Sequence, residues 1–288
     1  MSARLLDQPW PRVAVLQLPG VNCEYETRAV LERAELDAEI FRWNRPAEDL
    51  ETFDAYVIPG GFSYEDRIRA GAVAAKVKAL DVVAAAAEAG KPVLGICNGA
   101  QVLVEAGLVP GVHPGHVEAA LADNAAGWKG YYCAWVHLRV AKEGRETAFT
   151  SRFEDGEVVP MPMAHAQGRF TLRDRERFAR WMEAGQVPLR YVTPEGDEDP
   201  PFPFNPNGSL FGAAGMTNPA GNVLAFMPHP ERAASLRQVP DTLPGPWGDR
   251  RREAFRRREL LDGPGPGFKI FQSLSDYLRW GRGREGRP

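Results

Sequence analysis

Cysteine is scarce. The 288-residue chain holds three, at positions 23, 97 and 133, which have neither the number nor the spacing of a disulfide framework or a Cys/His zinc site. A reducing compartment fits that usage. Long apolar runs are missing too: none approaches the roughly 20 residues that span a bilayer, and the N-terminal stretch lacks a basic region followed by an apolar core and a small-residue cleavage site. The expectation is a cytoplasmic protein with no membrane partner. Neither charge sign is in large excess, since 35 Lys and Arg face 38 Asp and Glu, so nothing general draws the chain to nucleic acid. The sequence also has no G-x-x-x-x-G-K-[ST] phosphate loop and no evident metal cluster, and so no visible means of activating an amide with ATP.

What is present is an ordinary globular composition, 44% apolar and 25% charged, with alternating signals in the first third. "RVAVLQL", "AEIFRWN", "AYVIPGG" and "KPVLGIC" read as short buried strands. Between them, "CEYETRAVLERAEL" and "AGAVAAKVKALDVVAAAAEAG" read as helices, the second over residues 70–90 with Gly90 as its C-cap. Strand and helix alternate through residue 107, which predicts an α/β fold: a mixed, largely parallel sheet flanked by helices. Ligands in such sheets gather beyond the carboxyl ends of the strands, where Gly20, Gly60, Gly61 and Cys97 fall. Past residue 107, "GYYCAWVHLRV", "GEVVPMPMAH", "VPLRYV", "SLFGAAGMTN" and "NVLAFMPHP" read as antiparallel strands. The chain reads as one domain over 1–288, with a Pro/Gly/Arg-rich insertion at 233–266 and a C-terminal docking helix at 267–280.

"VLGICNGAQVL" sets Cys97 between Gly95 and Gly99 where a strand stops and a helix begins. A nucleophile on such an elbow needs small neighbours, because the backbone turns sharply beneath it. The helix N-terminus under the sulfur favours negative charge. A buried structural cysteine fits the elbow alone equally well. "FMPHPER" offers a base, His229, and an orienting carboxylate, Glu231, which an extended backbone points the same way. Gly60 and Gly61 after the "AYVI" strand can turn backbone N–H groups toward an oxyanion, although a plain turn explains them too.

"GICNGAQ", "PGGFSYEDRIRAGAVAA" and "MPHPER" resemble the class I (triad) glutamine amidotransferases of flavodoxin-like fold. "LPGVNCEYET", "AHAQGRF", "LRYV" and "NPNGSLFGAAGMTNPAGNVLAFMPHPER" narrow the resemblance to the glutaminase components of phosphoribosylformylglycinamidine synthase, an amidotransferase of purine synthesis. The resemblance implies Cys97, His229 and Glu231 as the triad, backbone N–H groups of Asn98 and the Gly60-Gly61 turn as the oxyanion hole, and Gln101 near bound L-glutamine. It further implies no cofactor in this chain, with ATP and magnesium in a partner synthetase subunit, and a small bridging subunit. Departures from the family pattern are Glu65, where Gly is commoner, Ala100, where a bulky aromatic is commoner, and Ala166-Gln167-Gly168 in place of Gly-Glu-Gly. Most of residues 233 to 264 is missing from its shorter members.

Other signals are weaker. Cys23 has no base motif beside it and reads as structural, and Cys133 as a strand residue. His113 and His116 lack a completing ligand set and read as a surface loop. "RRREAFRRRE", without interleaved aromatics, reads as a solvated helix or subunit contact. Two rival functions stay open on the triad alone: a cysteine-elbow hydrolase or protease of the same fold, and a non-catalytic regulatory subunit.

Overall fold

The computed structural model describes residues 9–143, 145–257 and 261–281. Along the chain run β1 (Arg12–Gln17), α1 (Glu24–Arg33), β2 (Asp37–Arg42), β3 (Ala55–Ile58), α2 (Lys78–Glu88), β4 (Val93–Ile96) and α3 (Asn98–Glu105). They are followed by β5 (Ala120–Asp123), β6 (Tyr132–Val140), β7 (Val158–His165), β8 (Gln167–Thr171), α4 (Arg175–Glu183), β9 (Leu189–Val192), β10 (Ala213–Thr217), β11 (Val223–Phe226), α5 (Pro246–Arg256) and α6 (Phe268–Trp280).

Nine strands form one mixed sheet in the order β2-β1-β3-β4-β11-β10-β9-β6-β7, and β5 pairs with β8 apart from it. β2, β1, β3, β4 and β11 run parallel. From β11 outward every neighbour is antiparallel. Every residue of β3, β4 and β11 is buried, as expected for strands covered on both faces. Each fully buried Val, Leu or Ile there contributes about 1.5–3 kcal/mol relative to exposure. Pro160 and Pro162 lie in β7, at the sheet edge, where a missing backbone N–H breaks no ladder.

The sequence order conceals one feature that decides the site. β11 is inserted beside β4 with Phe226 opposite Ile96, and the Cys97 N–H donates to the Phe226 carbonyl over 2.8 Å. The strand-end that leads to His229 is therefore in register with the elbow.

The helix expected over residues 70–90 forms only in its second half. Ala74–Lys76 is a 3-10 turn and Val77 is extended before α2 begins. Gly71 is the cause: its φ is +80°, and a Cβ there would stand 2.6 Å from the Gln101 carbonyl carbon, so this stretch lies as a loop against α3. The far end closes with a Schellman motif, Gly90 N–H to Ala87 O and Lys91 N–H to Ala86 O. α4, not expected from the sequence, is capped by Asp174, whose side chain accepts from the Arg177 N–H, and it buries Phe178 and Trp181.

Within the segment 233–266, α5 carries most of "RRREAFRRRE"; residues 258–260 lie outside the described residues. Arg252 pairs with Asp249, and Arg256 and Arg257 with Glu253, on its exposed face. α6 packs against α1 and the Pro230–Ala233 turn. Among the described residues no helix is long and apolar enough to cross a membrane.

Candidate active site

Cys97 occupies a left-handed backbone position, φ 51°, between β4 and α3. For a side chain other than glycine such a conformation costs about 1–3 kcal/mol and persists only where its surroundings enforce it. The two glycines do so. A Cβ on Gly95 would lie 2.5 Å from the Gly99 carbonyl oxygen, and one on Gly99 would lie 1.9 Å from the Ile58 carbonyl oxygen. Gly99→Ala is accordingly expected to lower the unfolding free energy by about 1–3 kcal/mol, read from the denaturant midpoint; an unchanged midpoint would contradict this packing.

His229 and Glu231 meet, but not along an extended strand as the sequence suggested. Pro230–Ala233 is a 3-10 turn. It swings the Glu231 carboxylate back onto the ring, with His229 Nδ1 to Glu231 Oε1 at 2.5 Å. The His229 N–H donates to the Pro162 carbonyl over 2.8 Å, which fixes the turn to β7. Both side chains are buried. Burial alone would push the imidazole pKa down, but the charges of Glu231 and Cys97, with hydrogen bonds to Cys23 and Cys97, outweigh it and hold the pKa well above its ordinary value.

Gly60 is where the groups converge. A Cβ on it would stand 2.8 Å from His229 Cε1, 3.2 Å from Cys23 Sγ and 3.5 Å from Cys97 Cβ. The position thus requires glycine for space. Its carbonyl accepts from the Asn22 N–H at 3.2 Å, and Gly61 bridges Val21. This bridge carries the "GVNCEYET" loop into the site and puts Cys23, which the sequence set apart, beside His229. Cys23 is buried, its thiol pKa raised chiefly by that burial, and Arg232 Nη2 donates to its sulfur over 3.1 Å. No sequence pattern signalled it, because a loop-to-loop bridge has no periodicity. Cys133, on β6, is exposed.

The remaining site residues form a polar frame. The Asn98 side chain accepts from the Ser63 N–H at 2.9 Å and donates to Asp66 Oδ1 and Gln101 Oε1. Gln101 is buried and donates to the Gln167 carbonyl over 2.6 Å. Gln167 in turn accepts from the Ala70 N–H and donates to Asp123. Across the frame lies a backbone turn in which Tyr64, Glu65, Asp66 and Ile68 all have positive φ. Glu65, where the family prefers Gly, is therefore in a conformation that favours Gly. A cavity of about 300 Å³ opens here, lined among others by Cys97, His229, Gln101, Asp66, Tyr131 and Arg232. The Cys97 sulfur lies 3.5 Å from the Ala164 carbonyl oxygen at the cavity wall.

His165 also borders the cavity and is buried neutral. Burial, assisted by the charge of His229, pushes its pKa down to about 3. Unfolded, it titrates near 6.5, so between those values the unfolded chain holds more protons. The stability from the neutral ring is fully present above about pH 6.5 and falls as pH drops toward 3, a change on the order of 4–5 kcal/mol. Urea unfolding of His165→Gln should show a shallower acid slope than the wild type; parallel slopes would remove His165 as the cause.

Among the described residues, Cys23, His229 and Glu231 form a set that could hold a metal, with one ligand atom each within 4.8 Å of the others. His113, by contrast, is tied to Glu118, which also pairs with Arg177.

Residues 10–278 match the family model of the CobB/CobQ-like glutamine amidotransferase domain. A phosphoribosylformylglycinamidine synthase subunit PurQ of Methanothrix thermoacetophila is 43% identical over 93% of this chain and 98% of its own length. The subunit of the same name from Pyrococcus horikoshii is 42% identical over 77% of this chain and 89% of its own. Among solved structures, a chain of PurLQS from Thermotoga maritima superposes with a TM-score of 0.68 at 34% identity, covering 94% of this chain and all of that one. With its elbow cysteine, its buried histidine–glutamate pair and these relatives, the chain belongs to the CobB/CobQ-like glutamine amidotransferase family, in the PurQ branch.

Proposed function

We propose that the chain is the glutaminase subunit of a cytoplasmic phosphoribosylformylglycinamidine synthase, which releases ammonia from L-glutamine for an ATP-dependent synthetase subunit. The observation that carries this is the convergence of Cys97 and His229 at one cavity, with Glu231 buried against the imidazole behind it, in a chain closely similar to PurQ subunits over almost their whole length.

His229, its pKa held high, takes and keeps the Cys97 thiol proton, and the sulfur attacks the side-chain amide carbon of glutamine. Glu231, buried against Nδ1, stabilises the imidazolium so formed and fixes its orientation. Backbone N–H groups of Asn98 and the Gly60-Gly61 turn stabilise the oxyanion. The imidazolium returns its proton to the leaving nitrogen and ammonia departs. Water, deprotonated by the same imidazole, then hydrolyses the glutamyl thioester to glutamate. Gln101, whose amide is bonded on both sides, shapes the pocket around glutamine. No cofactor is assigned to this chain; ATP and magnesium serve in the synthetase, and a small bridging subunit completes the assembly, in keeping with the three letters in the name of the PurLQS relative.

The triad reading fixes an order of damage. His229→Ala removes the base, whereas Glu231→Gln keeps the imidazole and loses only its charge partner, so steady-state glutamate release should fall further in the first. A fully active His229→Ala enzyme would remove the triad. The rival readings separate in the same assay: a protease of this fold releases no ammonia from glutamine, and a regulatory module releases none from any substrate.

A further inference from the structure

The catalytic reading uses one thiol, yet a second buried thiol touches the same imidazole. Cys23, His229 and Glu231 bring a soft sulfur, a ring nitrogen and a carboxylate oxygen within 4.8 Å of one another. All three are almost wholly buried, at 1%, 3% and 1% exposure. Glu231 uses only Oε1 on the ring; its Oε2 is buried with no hydrogen-bond partner. Arg232 fills the local need for positive charge from outside, with Nη2 at 3.1 Å from Cys23 Sγ and Nε at 3.9 Å from Glu231 Oε1. Its side chain is 43% exposed and also reaches Glu26, so it can yield that place.

We propose that Cys23, His229 and Glu231 form a binding site for a divalent cation of the zinc class, whose occupancy switches ammonia production off. Zinc takes this mixed donor set in tetrahedral geometry with bonds of about 2.0–2.3 Å, which sets ligand atoms roughly 3–4 Å apart and demands only small side-chain shifts here. The ion replaces the Cys23 thiol proton and the Nδ1 proton of the His229 ring, both of which leave to solvent, and no group is oxidised or reduced. The Glu231 carboxylate lies on the Nδ1 side of the ring, so an ion shared by the three residues binds Nδ1. The ring's remaining proton is then held on Nε2, and no lone pair is left there to take the Cys97 proton. Ion binding is independent of the proposed function; only its kinetic consequence rests on it.

The test uses the assembled enzyme and cobalt(II) as a spectroscopic stand-in for zinc. Wild type and Cys97→Ala are both expected to develop sulfur-to-cobalt charge-transfer absorption and tetrahedral visible bands, and Cys23→Ala to develop neither. Zinc should inhibit glutamine-dependent amidation reversibly, with chelator restoring it, and leave ammonia-dependent amidation intact. In Cys23→Ala, and in the size-conserving Cys23→Ser, the half-inhibitory zinc concentration should rise at least tenfold, each rate being normalised to the same variant without metal. Loss of the cobalt bands in Cys97→Ala with retention in Cys23→Ala would place the ion on the nucleophile and overturn the proposal. So would unchanged zinc sensitivity in both Cys23 variants.

Discussion

Cys97→Ser in the assembled enzyme is expected to abolish glutamine-dependent amidation, by a factor on the order of 10³ or more, while ammonia-dependent amidation continues near the wild-type rate. The side chain projects from a left-handed elbow that two glycines hold in place, so serine retains the position but offers a far less readily ionised nucleophile. Added ammonia bypasses the step that needs the sulfur. Both rates, measured on the same preparation, separate the roles of the two subunits. Equal loss of both in a folded, assembled variant would mean that Cys97 serves structure or docking.

The second large effect concerns assembly. Glutamate release by the isolated chain is expected to be slower by about 10²- to 10³-fold than in the complex with synthetase, nucleotide and acceptor, the range associated with one missing oxyanion donor. The Gly60 carbonyl is held by the Asn22 N–H at 3.2 Å, and reorienting the Gly60-Gly61 peptide would break that bond, a cost of about 1 kcal/mol. The neighbouring turn already stores strain at Tyr64, Glu65, Asp66 and Ile68, and Ile68 is 86% exposed beside the cavity. A partner that covers this rim can select the arrangement completing the oxyanion hole. Equal turnover by the isolated chain and the complex would remove site assembly as the control, and leave the nucleophile untouched.

The parallel strands and the elbow were legible because their determinants are local: apolar runs ended by Gly and Pro, and two glycines spaced around one cysteine. His229 and Glu231 were legible as residues but not in their geometry, since the 3-10 turn at Pro230–Ala233 replaces the extended backbone that the spacing implied. The helix over 70–90 was read too long because alanine favours helix wherever it stands, whereas the loop there is imposed by contact of Gly71 with α3. α4 went unread, although Phe178 and Trp181, three apart behind a capping Asp174, carry a local helical pattern. Cys23 had no such signal. Its place at the site comes from the bridge of Val21 to Gly61 and from Arg232, 209 residues away in sequence.

The most direct test of the account is covalent trapping. An electrophilic glutamine analogue, incubated with the assembled enzyme and followed by peptide mass spectrometry, is predicted to label Cys97 stoichiometrically and to spare Cys23 and Cys133. Glutamine should protect Cys97, and His229→Ala should slow the labelling. Labelling of Cys23 in place of Cys97, or none at either under turnover conditions, would contradict it.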